Sequence, residues 1–100
     1  MLHMVVMTHG PDTCAAVHPA EGEMARYAMA QKDAVSKKYQ ISIKGAWVDP
    51  PAHVFYLLVD APNAHSVNNL TADLKFFLWN TIDIHPIITL EEAMPLTKKA

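Results

Sequence analysis

The run Val54-Phe55-Tyr56-Leu57-Leu58-Val59 constrains this chain more than any other stretch. Six consecutive apolar residues, rich in β-branched and aromatic side chains, are typical of a buried strand. Pro50-Pro51 before the run and Asp60-Ala61-Pro62-Asn63 after it limit the strand to residues 53–60. It is the strongest strand signal in the sequence.

Two other segments, at the beginning and near the end of the chain, have the composition of strands. Residues 2–8 are apolar or β-branched until Gly10-Pro11 stops them, and residues 81–89 return to the same character. Successive side chains of a strand point to opposite faces. In the first segment, one face therefore consists of His3, Val5, Met7 and His9. In the last segment, the two faces consist of Ile82 with Ile84, and of Asp83 with His85.

Residues 41–49 show the alternation of a strand with one more apolar face. The predicted apolar face consists of Ile41, Ile43, Gly45 and Trp47. The predicted opposite face consists of Ser42, Lys44, Ala46 and Val48. Asp49-Pro50-Pro51-Ala52 then turns the chain, because proline lacks the N–H that a strand ladder needs. This strand and the run at 53–60 are expected to form an antiparallel hairpin.

Helical signals occupy the two long intervals between the strands. A segment from about residue 20 to 38 has acidic residues in its first turn and Lys37-Lys38 in its last turn, as the helix dipole favours. Residues 62–75 repeat apolar side chains at helical spacing. Thr89 and Glu92 have the spacing of a capping box, which predicts a short helical turn after the last strand.

The order strand, helix, strand, strand, helix, strand predicts the fold class. It is that of the ferredoxin-like β-α-β-β-α-β arrangement, an α+β fold with a four-stranded antiparallel sheet and both helices on one face. One hundred residues fit a single domain of this kind. The strands are apolar on both sides, so we expect a second copy of the chain to cover the bare sheet face in a homodimer or higher homo-oligomer.

Charge and composition argue against two classes of partner. A net charge of -2 leaves no basic surface to track phosphates, so nucleic acid is not expected. The apolar run from Met1 to Met7 is too short for a membrane span and lacks the features of a signal peptide. A single cysteine excludes an internal disulfide and fits a reducing compartment. We therefore expect a cytoplasmic protein without a membrane partner.

The loop after the first strand carries the first candidate site. His9, Cys14 and His18 lie in a Gly-Pro turn and its continuation. Imidazole and thiolate are good ligands for zinc, copper or iron, and a loop leaving a strand end can bend its side chains around one ion. The spacing is not that of an established metal motif. In the alternative interpretation, Cys14 is a small buried hydrophobe and His18 merely precedes a helix.

Asp83 and His85 form the second candidate site. If Ile82 and Ile84 lie under the helices, Asp83 and His85 point into the cavity of the dimer, where His9 or His53 from neighbouring strands could join them. A histidine beside a carboxylate can act as an acid or base, or as an oriented metal ligand. The alternative is that these polar residues lie at the barrel mouth and serve solubility or subunit pairing.

The aromatic residues form a third candidate. Trp47 and Tyr56 on the predicted hairpin are candidates to line a ligand or cofactor cavity, because small-molecule sites are mostly apolar with few polar groups. Aromatic residues in a short α+β domain also form the core or a dimer interface, which is the alternative interpretation here.

Three stretches carry a resemblance to a known group of proteins: residues 8–14 (THGPDTC), 45–53 (GAWVDPPAH) and 84–93 (IHPIITLEEA). With the element order, they resemble the dimeric α/β-barrel superfamily, which includes antibiotic-biosynthesis-type monooxygenases, muconolactone isomerases and chlorite dismutases. Within it, they look like a family of short ferredoxin-like proteins to which no function is attached. The resemblance implies a barrel cavity that takes a substrate or haem, but none of the superfamily's catalytic motifs matches here.

Two functions follow from these observations. In the first, a homodimer binds a small ligand or a transition metal in its barrel or at the loop with His9 and Cys14; whether it is also an enzyme is left open. In the second, the protein is a non-catalytic regulatory or assembly module that acts through its apolar sheet face.

Overall fold

A computed structural model describes residues 1–97, which contain four strands and three α-helices. The elements in chain order are β1 (Leu2–Thr8), α1 (Pro19–Lys38), β2 (Ser42–Asp49), β3 (Val54–Asp60), α2 (Ala64–Asp73), β4 (Thr81–Ile87) and α3 (Leu90–Ala93). Single 3₁₀ turns occupy Pro11–Thr13, Phe76–Leu78 and Met94–Leu96. The second helix is shorter than the predicted 62–75, because the chain passes through a left-handed residue at Lys75 and enters a 3₁₀ turn.

The four strands form one antiparallel sheet in the order β2-β3-β1-β4. The predicted α+β fold class and the β-α-β-β-α-β order are confirmed. The apolar run at residues 54–59 lies in β3, which pairs with β1 on one side and β2 on the other. The predicted homodimer stays a prediction.

One face of the sheet carries the core, and both long helices contribute to it. Val5 and Met7 of β1 and Val59 of β3 are buried there, together with Ala28 of α1 and Val67 of α2. The predicted alternation of β1 is confirmed, since His3, Val5 and Met7 are buried while Leu2, Met4 and Val6 between them are half-buried. Because His9 follows Met7 by two residues, the alternation of β1 places His9 on the same helix-covered face.

The predicted alternation of β2 is wrong beyond its first residues, because the strand contains a β-bulge. The register passes from Ile43 opposite Val59 directly to Gly45 opposite Leu58, which leaves Lys44 unpaired. An extra residue in one strand reverses the faces of all the residues after it. Ala46 and Val48 consequently share the helix-covered face with Leu57 and Phe55, whereas Gly45 and Trp47 share the open face with Leu58 and Tyr56.

Two helix ends are tied together at the far edge of the core. Tyr39, after the end of α1, donates its hydroxyl hydrogen to Asp73 at the end of α2 with an O···O distance of 2.6 Å. Hydrogen bonds from the Tyr39 hydroxyl and the Lys38 ammonium hold the pKa of the Asp73 carboxyl below its usual value. The contacts join the C-termini of α1 and α2.

Local capping follows the sequence closely. The Asn63 side chain accepts a hydrogen bond from Ser66 N at 2.9 Å and begins α2. The predicted capping box is confirmed, because Thr89 and Glu92 exchange both side-chain-to-backbone hydrogen bonds. Within residues 1–97, none of the helices combines the length and apolar character that crossing a membrane requires.

Gln40, just after α1, offers a stability test. Its φ of 58° lies in the left-handed region, which glycine adopts more readily than any residue with a Cβ. We expect Gln40→Gly to raise the free energy of unfolding by about 0.5–1 kcal/mol, measured by chemical denaturation. The matched control is Ser42→Gly in extended β2, which should lower it by a similar amount. Destabilisation of both variants alike would contradict the prediction.

Candidate metal centre

The loop between β1 and α1 is folded back on itself by its own backbone. Gly10-Pro11 ends β1, and the carbonyl of Gly10 accepts a hydrogen bond from Thr13 N at 3.2 Å. The carbonyl of Cys14 then accepts from Val17 N at 3.1 Å and from His18 N at 3.0 Å, before Pro19 begins the helix. These turns hold the half-buried, free thiol of Cys14 close to the end of β1.

The turn between β2 and β3 presents His53 from the other side. Asp49 Oδ1 accepts from Ala52 N at 3.2 Å, and the carbonyl of Pro50 accepts from His53 N at 3.2 Å. His53 has a φ of 56°, a left-handed conformation that is uncommon for residues with a Cβ and that costs about 1–2 kcal/mol. Unusual backbone conformations of this kind concentrate at functional sites.

His9, Cys14 and His53 converge at this end of the sheet. His9 N donates to the carbonyl of His53 at 3.1 Å, which continues the β1–β3 ladder by one step. One ligand atom from each of the three side chains lies within 4.8 Å of the other two. Three atoms so spaced lie within about 2.8 Å of a common centre, compared with zinc bonds of about 2.0–2.1 Å to imidazole and 2.3 Å to thiolate. Side-chain shifts below about 1 Å would close that difference.

A second layer of hydrogen bonds orients His9. Its Nδ1 lies 3.2 Å from Asn80 Oδ1. The amide of Asn80 is itself oriented, because its Nδ2 donates to the carbonyl of Phe76 at 3.2 Å. With Asn80 Oδ1 as the acceptor, this hydrogen bond requires the tautomer of His9 that carries its proton on Nδ1, in which Nε2 is the nitrogen with a free lone pair. A hydrogen bond at the other ring nitrogen is the usual support of a metal-bound histidine.

Aromatic rings surround the cluster and keep it apolar. The His9 ring stacks on Phe55 at a centroid distance of 5.4 Å and contacts Trp79 and His53, each at 5.2 Å. Trp79 is 4% exposed. A pocket of about 230 Å³ opens beside the cluster and is lined by His9, Cys14, Ala15, Ala16, Val48, Pro50, His53 and Phe55. Such surroundings limit competition from water for a metal ion.

The structure brings together two of the three predicted metal-binding residues. His9 and Cys14 belong to the cluster, while His18 does not. The Nε2 atom of His18 lies 3.0 Å from the carbonyl oxygen of Pro11, so this side chain closes the loop. His53 takes the third place in the cluster.

Asp83 and His85 lie on the opposite face of the sheet from the cluster. In the register of β1 with β4, they pair with Val6 and Met4, whose side chains are on the open face, and both are exposed. They share a face as predicted. Neither His9 nor His53 joins them, because His9 emerges on the helix-covered face.

Trp47 and Tyr56 are neighbours across the β2–β3 ladder. Trp47 is 56% exposed and its ring packs over Gly45, and Tyr56 is half-buried. Both side chains belong to the open face of the sheet, although Trp47 also reaches the edge of a cleft on the helix-covered side. The two residues are thus neighbours in the ladder, and neither of them lines the pocket beside the metal cluster.

The fold and the site define a small α+β protein with a candidate metal centre where β1 ends and β3 begins. Residues 1–100 match the family described as a domain of unknown function (DUF3303), and the chain belongs to that family. No curated protein matches it. The structure is similar to the crystal structure of SCO4226 from Streptomyces coelicolor A3(2), with a TM-score of 0.57 and 17% sequence identity over 87% of this chain and 96% of that one. At this identity, the similarity concerns the fold.

Asn80 provides a test of how His9 is oriented. In alkaline solution, where imidazoles are neutral, we expect long-range ¹H–¹⁵N spectra to show the proton of His9 on Nδ1. Asn80→Ala removes the acceptor and should shift His9 towards the tautomer with the proton on Nε2. Asn68→Ala, on the exposed side of α2, is the control and should leave the His9 signals unchanged. A His9 tautomer that does not respond to Asn80→Ala would contradict the assigned orientation.

Proposed function

We propose that this protein binds one transition metal ion, zinc or copper ahead of iron, through His9, Cys14 and His53. The observation that carries the proposal is the convergence of three ligand atoms within 4.8 Å from two separate loops. The hydrogen bonds of Asn80 support the proposal, because they supply the second layer that a metal-bound His9 would use.

The donor set favours these metals over others. Thiolate and imidazole suit zinc and copper, whereas magnesium and calcium take oxygen ligands, and the cluster contains no carboxylate. Three protein ligands leave a fourth position of a tetrahedral ion open. Haem is less well supported, because haem iron takes only one or two protein ligands rather than a converging set of three.

Metal binding is testable with purified, reconstituted protein. We expect one equivalent of zinc or copper by elemental analysis, and an affinity that falls in acid because the ligands must lose their protons. His9→Ala, Cys14→Ser and His53→Asn should each lower the affinity by about tenfold or more, measured by competition with a chromophoric chelator. Asparagine is chosen at position 53 because it tolerates the left-handed backbone.

Two variants serve as controls for that experiment. His18→Ala removes a nearby histidine outside the cluster, and His65→Ala removes an exposed one on α2. Both should bind the metal as the wild type does. Substoichiometric binding by the wild type, or equal losses from the control variants and the cluster variants, would overturn the proposal.

We also propose that two copies of the chain associate through the open sheet face. That face carries half-buried apolar side chains in its centre: Leu2, Met4, Val6, Val54, Tyr56 and Leu58. A contiguous apolar surface of this extent is typical of an interaction site, and a twofold dimer would use the same surface on both copies. The alternative function, a non-catalytic assembly module, requires the same association. A dimer would therefore be expected under both functions, and only metal binding distinguishes them.

The association has its own test. Val6→Lys places a charge in the centre of the open face and should convert a dimer into a monomer, measured by light scattering after size exclusion. Val17→Lys, at an exposed loop position with 70% of its surface accessible, should leave the assembly unchanged. Metal binding should survive in both variants. A wild-type chain that is monomeric at all concentrations tested would refute the proposed dimer.

Two further expectations, a role for Asp83 with His85 and the cellular compartment, go beyond these observations. An acid-base role of Asp83 and His85 would place chemistry on the open face, inside the proposed dimer and away from the metal. A free Cys14 that serves as a ligand fits a reducing compartment such as the cytoplasm. Both stay predictions.

A further inference from the structure

A cleft lies between α1 and the sheet, next to the candidate metal centre. Its volume is about 270 Å³, and it is almost entirely apolar in its lining. The lining residues are Met7, Ala25, Met29, Ala46, Trp47, Val48, Phe55, Leu57, Phe76 and Trp79. An apolar cavity of about 150 Å³ is large enough for benzene, so this one has room for a larger molecule of one or two rings.

Small side chains on both walls account for the space. The face of α1 that looks towards the sheet has alanine at positions 25 and 28. The facing part of β2 contributes Ala46 and Val48, because the bulge at Lys44 places these two residues on the helix-covered face. The side chain of Trp47 starts on the open face and reaches only the edge of the cleft. A second, smaller space of about 130 Å³ continues along α1 and shares Met29, Ala46, Leu57 and Phe76 with the cleft.

The cleft and the metal pocket share a wall. Val48 and Phe55 line both of them. Trp79 lines the cleft and contacts the ring of His9 at 5.2 Å. Its Nε1–H is buried and has no hydrogen-bond acceptor among residues 1–97.

We infer that the cleft holds the body of a small, mainly apolar ligand that coordinates the metal ion with a single nitrogen, oxygen or sulfur donor. The inference rests on the proposed metal site, whose three protein ligands leave one position open. The apolar body gains free energy from burial beneath α1, and the donor head gains it from the metal. A ligand with both parts would use the open coordination position and the adjoining apolar cleft together.

A pair of simple probes separates head from body. 4-Phenylimidazole carries a neutral nitrogen donor on an apolar ring, and imidazole carries the same donor alone. With cobalt(II) substituted for the native metal, a change in the visible absorption reports direct coordination. We expect 4-phenylimidazole to bind about tenfold or more tightly than imidazole, because only the former fills the cleft.

Variants of the cleft locate the effect. Ala25→Leu fills the cleft from α1 and should bring the affinity for 4-phenylimidazole down to that for imidazole, without changing metal binding. Ala46→Leu fills it from β2 and should do the same, so the test does not depend on one variant folding. Ala30→Leu, on the exposed side of α1, is the matched control and should retain the preference.

The outcomes distinguish this inference from the proposed function. If the protein binds metal but both probes bind equally, or if the preference survives both Ala25→Leu and Ala46→Leu, the ligand cleft is refuted while the metal site stands. If the protein binds no metal, the proposed function fails and this inference fails with it.

Discussion

The hydrogen bond from His9 N to the carbonyl of His53 is the contact on which the site depends. It adds one step to the ladder between β1 and β3, beyond the last paired residues Thr8 and Val54. Because both strands are held by the core at Val5, Met7 and Val59, this last step is held as well. Two imidazoles thereby emerge side by side from a rigid part of the molecule, and the loop with Cys14 only has to bring one more side chain.

Local patterns predicted the elements well because their causes are local. The bounds of β1 agree with the pattern at both ends, since Gly10-Pro11 cannot continue a strand. The capping box at Thr89 and Glu92 is a contact between residues three apart and is visible in the sequence itself. The alternation in β4 likewise sorted Ile82 and Ile84 from Asp83 and His85 correctly.

The faces of β2 could not be predicted from the sequence, because their cause is not local. Nothing in Ser42-Ile43-Lys44-Gly45 announces that Lys44 will be left unpaired, because a bulge is a property of the pairing with β3. The same holds for the site. His18 is close to His9 in sequence, but its Nε2 atom lies at hydrogen-bond distance from the carbonyl of Pro11. His53 is distant in sequence, and its pairing with His9 at the end of the β1–β3 ladder brings it to the site. The sequence did contain one signal for His53, namely a histidine that follows a proline turn directly before the strongest strand. Asn80 offered none, because its role depends on the turn at Phe76–Leu78.

The unpaired Lys44 determines which side chains of β2 lie on the helix-covered face and which lie on the open face. With strict alternation after Ile43, the indole of Trp47 would project beneath α1 and occupy the volume now bordered by Ala46 and Val48. A single inserted residue thus leaves small side chains beside the cleft and places Trp47 on the open face of the sheet, where it is 56% exposed. Without this residue, the same strand would place Trp47 on the helix-covered face, in the space that the cleft now occupies.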